Sequence, residues 1–405
     1  MSGSASSAVT PRALSRRSRG VRGSAIRDLL TLTARSDVIS LAGGLPAPEF
    51  IPGDRIAEQA RAALAVPGSV QYAETTGLRE LRGVLAHRES GRIGRPVDQA
   101  DIVVTHGSQQ ALSLSAQVLL DPGDTVVVEA PAYTGALQAF QAAQARVHTV
   151  PLDDEGMVTE ELRRLLESGL RPAVVHTVSN FHNPRGVVLG ESRRHELAAL
   201  AERYGFWVIE DDPYGDLWFD AAPPPPVAAL SDRVLRLSSA SKILAPALRV
   251  GWLHGDREVC RAVELLKQGA DLCGSALTHR IAAGLLADDA WMTAHVDALR
   301  SGYGSRARAL VGALDDAFGD TLTLSDVRGG MFCWASVAGS AGAETDTARL
   351  LDSALVEGVA FVPGAAFGTG EQDLSSSMRL CFATYGEDVL TEAVARLRRA
   401  VDRHG

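Results

Sequence analysis

Lysine is almost missing from this chain: of its 40 lysine and arginine residues, only Lys242 and Lys267 are lysines. A surplus of positive charge is missing too, because the formal net charge is -9. That balance argues against a nucleic-acid surface as the main business of the protein, since such surfaces are usually basic. No apolar run is long enough to cross a bilayer. Cysteine is sparse: Cys260, Cys273, Cys333 and Cys381 lie far apart with no CxxC pair. This excludes the usual disulfide frame and zinc spacing, and it suits reduced, buried thiols in a cytoplasmic protein. Also missing are a Walker loop, an HExxH pair (the run at His195 has no second histidine) and a GxSxG elbow. "GYGSRA" from residue 302 mimics a dinucleotide fingerprint, but it sits in a helical pattern with no strand before it. The serine- and arginine-rich opening, "MSGSASSAVTPRALSRRSRGVRGS", has no apolar core of the kind a secretory signal needs, so a mobile arm is expected there.

At 405 residues the chain is long enough for a large core and about two domains. From about residue 100, short apolar runs alternate with helical patterns. "DIVVTHGS", "DTVVVEAP", "PAVVHTVSN", "FWVIEDDP" and "RVLRLSSASK" are the strand-like members. Valine- and isoleucine-rich strands separated by helices imply crossover units and a mostly parallel sheet with helices on both faces, an α/β architecture. After about residue 290 the order changes to a long helix, then "MFCWASV", "GVAFVPG", "MRLCFATY" and a closing helix, which predicts a separate α+β unit. "PPPP" at 223 to 226 falls inside the α/β series and reads as a surface loop.

Open α/β sheets place their ligands at the carboxyl ends of the strands. There this chain puts Gly107, Ser108 and Gln109 opening a helix, Asn183 before Pro184, the pair Asp211 and Asp212 with Tyr214, and Ser239, Ser241 and Lys242 with Arg249 beyond. Each has an ordinary explanation: a serine cap, a turn asparagine, a capping carboxylate. Lys242 is harder to explain away. Arginine supplies charge at least as well, but its guanidinium stays protonated, whereas an amine can lose its proton and attack a carbonyl. The same reasoning assigns Lys267, in the polar-studded run "REVCRAVELLKQGADL", to the surface. Together the strand-end residues fit pyridoxal 5'-phosphate. That cofactor needs a phosphate cup, an amine for its aldehyde, a carboxylate at its ring nitrogen, donors to its phenolic oxygen and a ring to stack on.

The motif order resembles the fold type I aminotransferases, in particular the branch of 2-aminoadipate aminotransferases and the enzyme-like domains of MocR regulators. The resemblance is carried by "ISLAGGLPAPEFIP", "QYAETTGLRELR", "GSQQAL", "EAPAYTGAL", "HNPRG", "IEDDPYGDL", "SASKILAPALRVGW", "RGGMFCW" and "MRLCFA", spread from about residue 39 to 385. It implies a large domain with a mostly parallel seven-stranded sheet flanked by helices, and a smaller α+β domain. Residues 1–50 would be an N-terminal arm and part of the smaller domain, 51–290 the large cofactor domain, and 291–405 the small C-terminal domain. It further implies that Lys242 holds the cofactor as a Schiff base and moves the proton, and that Asp211 pairs with the pyridinium nitrogen. Asn183 and Tyr214 would bond the phenolic oxygen, and Tyr133 would stack on the ring. Ser108, Gln109, Ser239, Ser241 and Arg249 would bind the phosphate. Tyr72 would reach the neighbouring subunit's phosphate in a homodimer. Arg379 would grip the substrate α-carboxylate, and Gly44, with Asn183 nearby, would let substrate approach the backbone.

Two positions depart from the family pattern: Arg185 stands for threonine in "HNPTG", and Ala240 replaces the aromatic residue of "SFSK". Either they mark a larger or more anionic substrate or they are drift, and Arg19, Arg22 and Arg27 of the arm are candidates to meet an acidic group. The resemblance implies transamination between an L-α-amino acid and a 2-oxo acid. A second reading keeps the cofactor but eliminates, replaces or forms a bond at the substrate, as in enzymes of specialised metabolism. A third, a ligand-sensing regulator, needs a DNA-binding module larger than the 38 residues before "ISLAGG".

Overall fold

The computed structural model describes Ser15, Ser18, Gly23, Leu29 and residues 37–337, 346–370 and 372–404. Arg19, Arg22 and Arg27 lie outside the described residues. In chain order the strands are β1 (Ile39–Ser40), β2 (Ile102–Thr105), β3 (Thr125–Ala130), β4 (Arg146–Asp153), β5 (Gly156–Met157), β6 (Val174–Thr177), β7 (Trp207–Asp211), β8 (Val234–Ser239), β9 (Gly251–His254), β10 (Leu322–Leu324), β11 (Phe332–Val337), β12 (Val359–Ala360), β13 (Val362–Pro363) and β14 (Ser377–Cys381).

The main sheet runs β2-β9-β8-β7-β6-β3-β4-β5. Its central pairs β8–β7, β7–β6, β6–β3 and β3–β4 are parallel, whereas β9 runs antiparallel to both β2 and β8. The sheet therefore holds eight strands, not the seven expected. The extra member is the two-residue β5, which folds back antiparallel on β4. Strands β2, β6 and β8 are buried along their whole length. Their valine, isoleucine and leucine residues do not alternate with exposed polar ones because helices cover both faces, and the polar members His176 of β6 and Arg236 of β8 are themselves buried. Strand β4 is half-buried along most of its length, with one fully buried residue, Val150, so its apolar signal is diluted and the sequence pattern does not announce it.

A four-stranded antiparallel sheet, β10-β11-β14-β13, and the parallel pair β1–β12 form the second assembly. Pairing of Ile39 with Val359 and of Ser40 with Ala360 ties the segment before the first long helix to this C-terminal part. The long helix expected after residue 290 is Asp289–Phe318, and "GYGSRA" lies inside it. Pro223 to Pro226 lie in the irregular segment after β7, with Pro226 buried. Cys260, Cys333 and Cys381 are buried thiols as expected, while Cys273 is half-buried.

The reading of Lys267 is overturned, because its side chain is buried with 0% exposure. Helix Arg257–Asp271 starts on an Asp256 cap that accepts from the Glu258 and Val259 amides, and it buries Val259, Val263 and Lys267. Spacing of four places these three on one stripe, so position 267 continues the core face however polar its neighbours are.

Candidate active site

Five of the strand-end segments converge on one cavity of about 600 Å³ at the carboxyl edge of the parallel strands. Twelve of the thirteen residues to which the resemblance gives a role line it: Gly44, Ser108, Gln109, Tyr133, Asn183, Asp211, Tyr214, Ser239, Ser241, Lys242, Arg249 and Arg379. Tyr72 does not; its side chain is 78% exposed on the outside of the chain.

On one wall the turn after β2 meets the segment that enters β9. Gly107, at φ 77°, takes a conformation that favours glycine and precedes helix Ser108–Leu119. The start of that helix leaves backbone N–H groups facing the cavity wall, with the positive end of the helix dipole behind them. A Cβ on Gly251 would sit 2.4 Å from the carbonyl carbon of Gly107, so only glycine lets β9 lie this close to the turn. Arg249 holds the left-handed region at φ 52°, which costs a non-glycine residue about 1–2 kcal/mol. Its Nη2 donates to the carbonyl of His106 at 2.6 Å. Ser239 Oγ donates to Ser241 Oγ at 2.8 Å and accepts from the Ser241 amide at 3.1 Å. Two hydroxyls, an arginine and a helix start thus face one point, an arrangement suited to a phosphate dianion.

At the floor, Asp211 ends β7 and is 2% exposed. Its Oδ1 has no hydrogen-bond partner, and its Oδ2 lies 4.0 Å from Nε2 of His176, which is itself unpaired. A buried carboxylate oxygen without a donor is costly, and a ring N–H brought to it would remove that cost. Lys242 donates from Nζ to the Gly44 carbonyl at 2.7 Å. Burial pushes its amine down to about 8, with Arg379 and Arg249 adding to the effect and Cys381 opposing it. Tyr133 and Tyr214 are also pushed, chiefly by burial, well above the ordinary phenol range. Both therefore remain O–H donors at neutral pH. Tyr133 donates to Gln109 Oε1 at 3.1 Å, and Gln109 in turn donates to the Gly135 carbonyl at 2.9 Å.

The third wall comes from β14. Arg379 is 2% exposed, donates from Nη1 to Asn183 Oδ1 at 2.7 Å and from Nη2 to the Ala42 carbonyl at 2.6 Å. Its Nε is buried without a partner. The guanidinium lies 4.2 Å from the ring centroid of Phe332 and 5.1 Å from that of Phe367. Arginine offers only donors, so the Asn183 atom facing it is the carbonyl oxygen and the amide Nδ2 is left for another acceptor.

Several contributors are not evident from motif reading. Phe332 stands edge-on to Tyr214 at 5.9 Å and fills the space next to Gly44, where a Cβ would come within 2.8 Å of its ring. Glu129, buried in β3, accepts from Thr177 Oγ1 at 2.6 Å and from the Val178 amide at 2.9 Å, setting the loop that delivers Asn183. A polar residue inside an apolar strand is the one sequence signal that pointed to it. Asp212 serves structure: it accepts from Arg236 Nη2 at 2.8 Å and from the Gly215 amide at 2.8 Å, closing the turn that carries Tyr214. Neither departure from the family pattern lines the cavity. Arg185 donates to Asp154 Oδ1 at 3.2 Å, and Ala240 is packed in the core.

Residues 36–397 match the family model described as aminotransferase class I and II. The aromatic-amino-acid aminotransferase 1 of Thermococcus litoralis is 38% identical over 395 residues, covering 96% of this chain and 93% of the relative. The 2-aminoadipate transaminase of Thermus thermophilus is 36% identical over 391 residues, covering 94% of each. Among solved structures, the Pyrococcus horikoshii kynurenine aminotransferase superposes with a TM-score of 0.90 at 38% identity, covering 96% of this chain and 97% of that one. With the fold, the strand-end cavity and these likenesses in agreement, the chain belongs to the class I and II aminotransferases, fold type I enzymes that work with pyridoxal 5'-phosphate.

Proposed function

We propose that the cavity transfers an amino group between an L-α-amino acid and a 2-oxo acid, with Lys242 as the residue that carries the cofactor and moves the proton. The observation that carries the assignment is the buried, unpartnered Oδ1 of Asp211 in the same cavity as the depressed amine of Lys242. Pyridoxal 5'-phosphate supplies an aldehyde to receive the amino group and a ring that draws off the electron pair left on the α-carbon. The chain's residues do the rest. Asp211 accepts the ring nitrogen's N–H and keeps that nitrogen protonated. Tyr214 Oη and the free Nδ2 of Asn183 donate to the phenolic oxygen, and Tyr133 covers one ring face. Ser108, Gln109, Ser239, Ser241 and Arg249 take the phosphate. Arg379 receives the substrate α-carboxylate, a planar two-pronged match that lysine cannot reproduce. Lys242 Nζ would take up the proton from the substrate α-carbon and give it back in the transfer. The Gly44 carbonyl, which accepts from that amine, lies where the substrate passes. The relatives' names favour a donor with an aromatic or 2-aminoadipate-like side chain.

The assembly belongs to the same proposal. Tyr72 is too exposed to serve its own cavity, and Val70 and Leu272 are exposed apolar side chains nearby in the chain or in space, since Thr75 Oγ1 donates to the Leu272 carbonyl at 2.8 Å. Covering them in a homodimer puts Tyr72 at the neighbouring site. The division into residues 1–50, 51–290 and 291–405 is supported by the β1–β12 pairing, which assigns residues 39 and 40 to the C-terminal assembly. Among the described residues no helix is long and apolar enough to cross a membrane. Free thiols without a bridging partner favour a cytoplasmic setting.

Borohydride reduction of cofactor-loaded protein, followed by peptide mass mapping, should place the added mass on Lys242. An accepted amino acid should convert the visible band to the pyridoxamine form, and a 2-oxo acid should restore it. An unmodified Lys242 would overturn the residue roles, and conversion without restoration would overturn transamination.

A further inference from the structure

The second lysine lies behind the phosphate wall of the cavity. Lys267 Nζ donates to Asp271 Oδ1 at 2.7 Å, one helical turn along at the end of helix Arg257–Asp271. The other oxygen of Asp271 is shared: Gln110 Nε2 donates to Oδ2 at 2.6 Å, and His106 Nδ1 stands 2.9 Å from it. Gln110 turns back to accept the His106 amide through Oε1 at 2.8 Å. The His106 carbonyl then accepts Arg249 Nη2 at 2.6 Å. An unbroken line of polar contacts thus runs from a fully buried ammonium to the arginine of the phosphate cup. It holds both sides of Gly107, the turn that opens helix Ser108–Leu119.

Burying an ammonium is unfavourable unless it is paired and hydrogen-bonded. A core position on the 259, 263, 267 stripe would accept leucine or methionine with no such cost. Retaining lysine there is explained if its charge keeps Asp271 ionised and fixed, so that one carboxylate oxygen orients two residues of the turn. The pair does not itself line the cavity.

We propose that Lys267 and Asp271 are positioning residues that preset the His106–Gly107 turn and Arg249 for a phosphate ester; this rests on the pyridoxal 5'-phosphate reading of the cavity. Pre-setting donors before the ligand arrives improves affinity for the group they face and leaves the rest of the ligand unaffected. Pyridoxal, which lacks the phosphate but keeps the aldehyde, is therefore the discriminating probe.

Full-length cofactor-free wild type, Lys267→Met, Asp271→Asn and Lys267→Arg are titrated with pyridoxal 5'-phosphate and with pyridoxal, and binding is followed by absorbance. Loss of the hydrogen-bond partners that orient metal ligands typically costs 10–100-fold in metal affinity, and the same order is expected for partners that orient a phosphate cup. Lys267→Met and Asp271→Asn should weaken pyridoxal 5'-phosphate by roughly that factor and leave pyridoxal within about twofold, with Lys267→Arg in between. A parallel loss for both ligands, or no loss for either, would overturn the proposal. Should Lys267→Met fail to fold, the near-isosteric Asp271→Asn decides alone. A wild-type chain that takes up no pyridoxal 5'-phosphate would instead overturn the parent assignment.

Discussion

Burial at the bottom of the pocket, with two arginines beside it, works against the charge of the Lys242 ammonium. Lys242 responds by losing its proton earlier than a free lysine, with a value of about 8 in place of the ordinary 10.5. The folded chain binds fewer protons than the unfolded chain between those values. This group's penalty on stability is therefore full below pH 8 and fades as pH rises toward 10.5. The kinetic consequence has the same sign. In cofactor-free protein the initial rate of covalent uptake of pyridoxal 5'-phosphate should climb with pH, pass its midpoint near 8 and level off above it. A rise that continues unbroken toward 10.5 would show that the pocket does not depress the amine. The chemical argument that set Lys242 apart in the sequence, that an amine can be deprotonated and a guanidinium cannot, thus has a physical counterpart. The opposite treatment of Lys267 failed because polarity of the neighbouring letters says little about which helical stripe a residue occupies.

Strands and turns decide how accurately these side chains are presented. The carboxyl ends of β2, β3, β6, β7 and β8 and the start of β9 lie on one edge, so segments scattered over more than a hundred residues of chain become one wall. Strand β9 was not anticipated as a partner of β2, yet its first residue shapes the cup. Gly251→Ala should therefore act at a distance from any reacting atom. The new Cβ has backbone of Gly107 and Ser108 within 2.6 Å, and these cannot yield like a flexible side chain. Overpacking of this kind costs about 1–3 kcal/mol, and the variant should melt at lower temperature and bind pyridoxal 5'-phosphate more weakly than wild type. Unchanged melting and unchanged affinity would mean that β9 and the turn separate freely. By contrast Arg185, a departure that invited a functional reading, belongs to a loop contact with Asp154 and leaves the cavity wall alone.

At the scale of the whole molecule, the exposed apolar positions Val70 and Leu272 belong to the surface proposed between two copies. Wild type should sediment at twice the chain mass. Val70→Asp combined with Leu272→Asp should shift it toward monomer, because each carboxylate left unpaired at a closed interface costs several kcal/mol. The monomer should also hold pyridoxal 5'-phosphate less tightly, for want of the neighbour's Tyr72. A chain that sediments as a monomer before any substitution would remove the shared-site reading.

Fold class, strand alternation and most of the cavity's side chains were legible in the sequence because they are local: apolar runs of strand length, a glycine and a serine opening a helix, a lysine among arginines, and motifs whose order is preserved over most of the chain. Sequence alone therefore determined the class of cofactor chemistry. What only the tertiary structure decided is which groups face one another. It put Arg379 on the side-chain carbonyl of Asn183, left one oxygen of Asp211 without a donor, buried Lys267 against the carboxylate that holds the His106–Gly107 turn and turned Tyr72 outward. Such relations depend on packing between elements far apart in the chain, and no local pattern of residues encodes a distance across the fold.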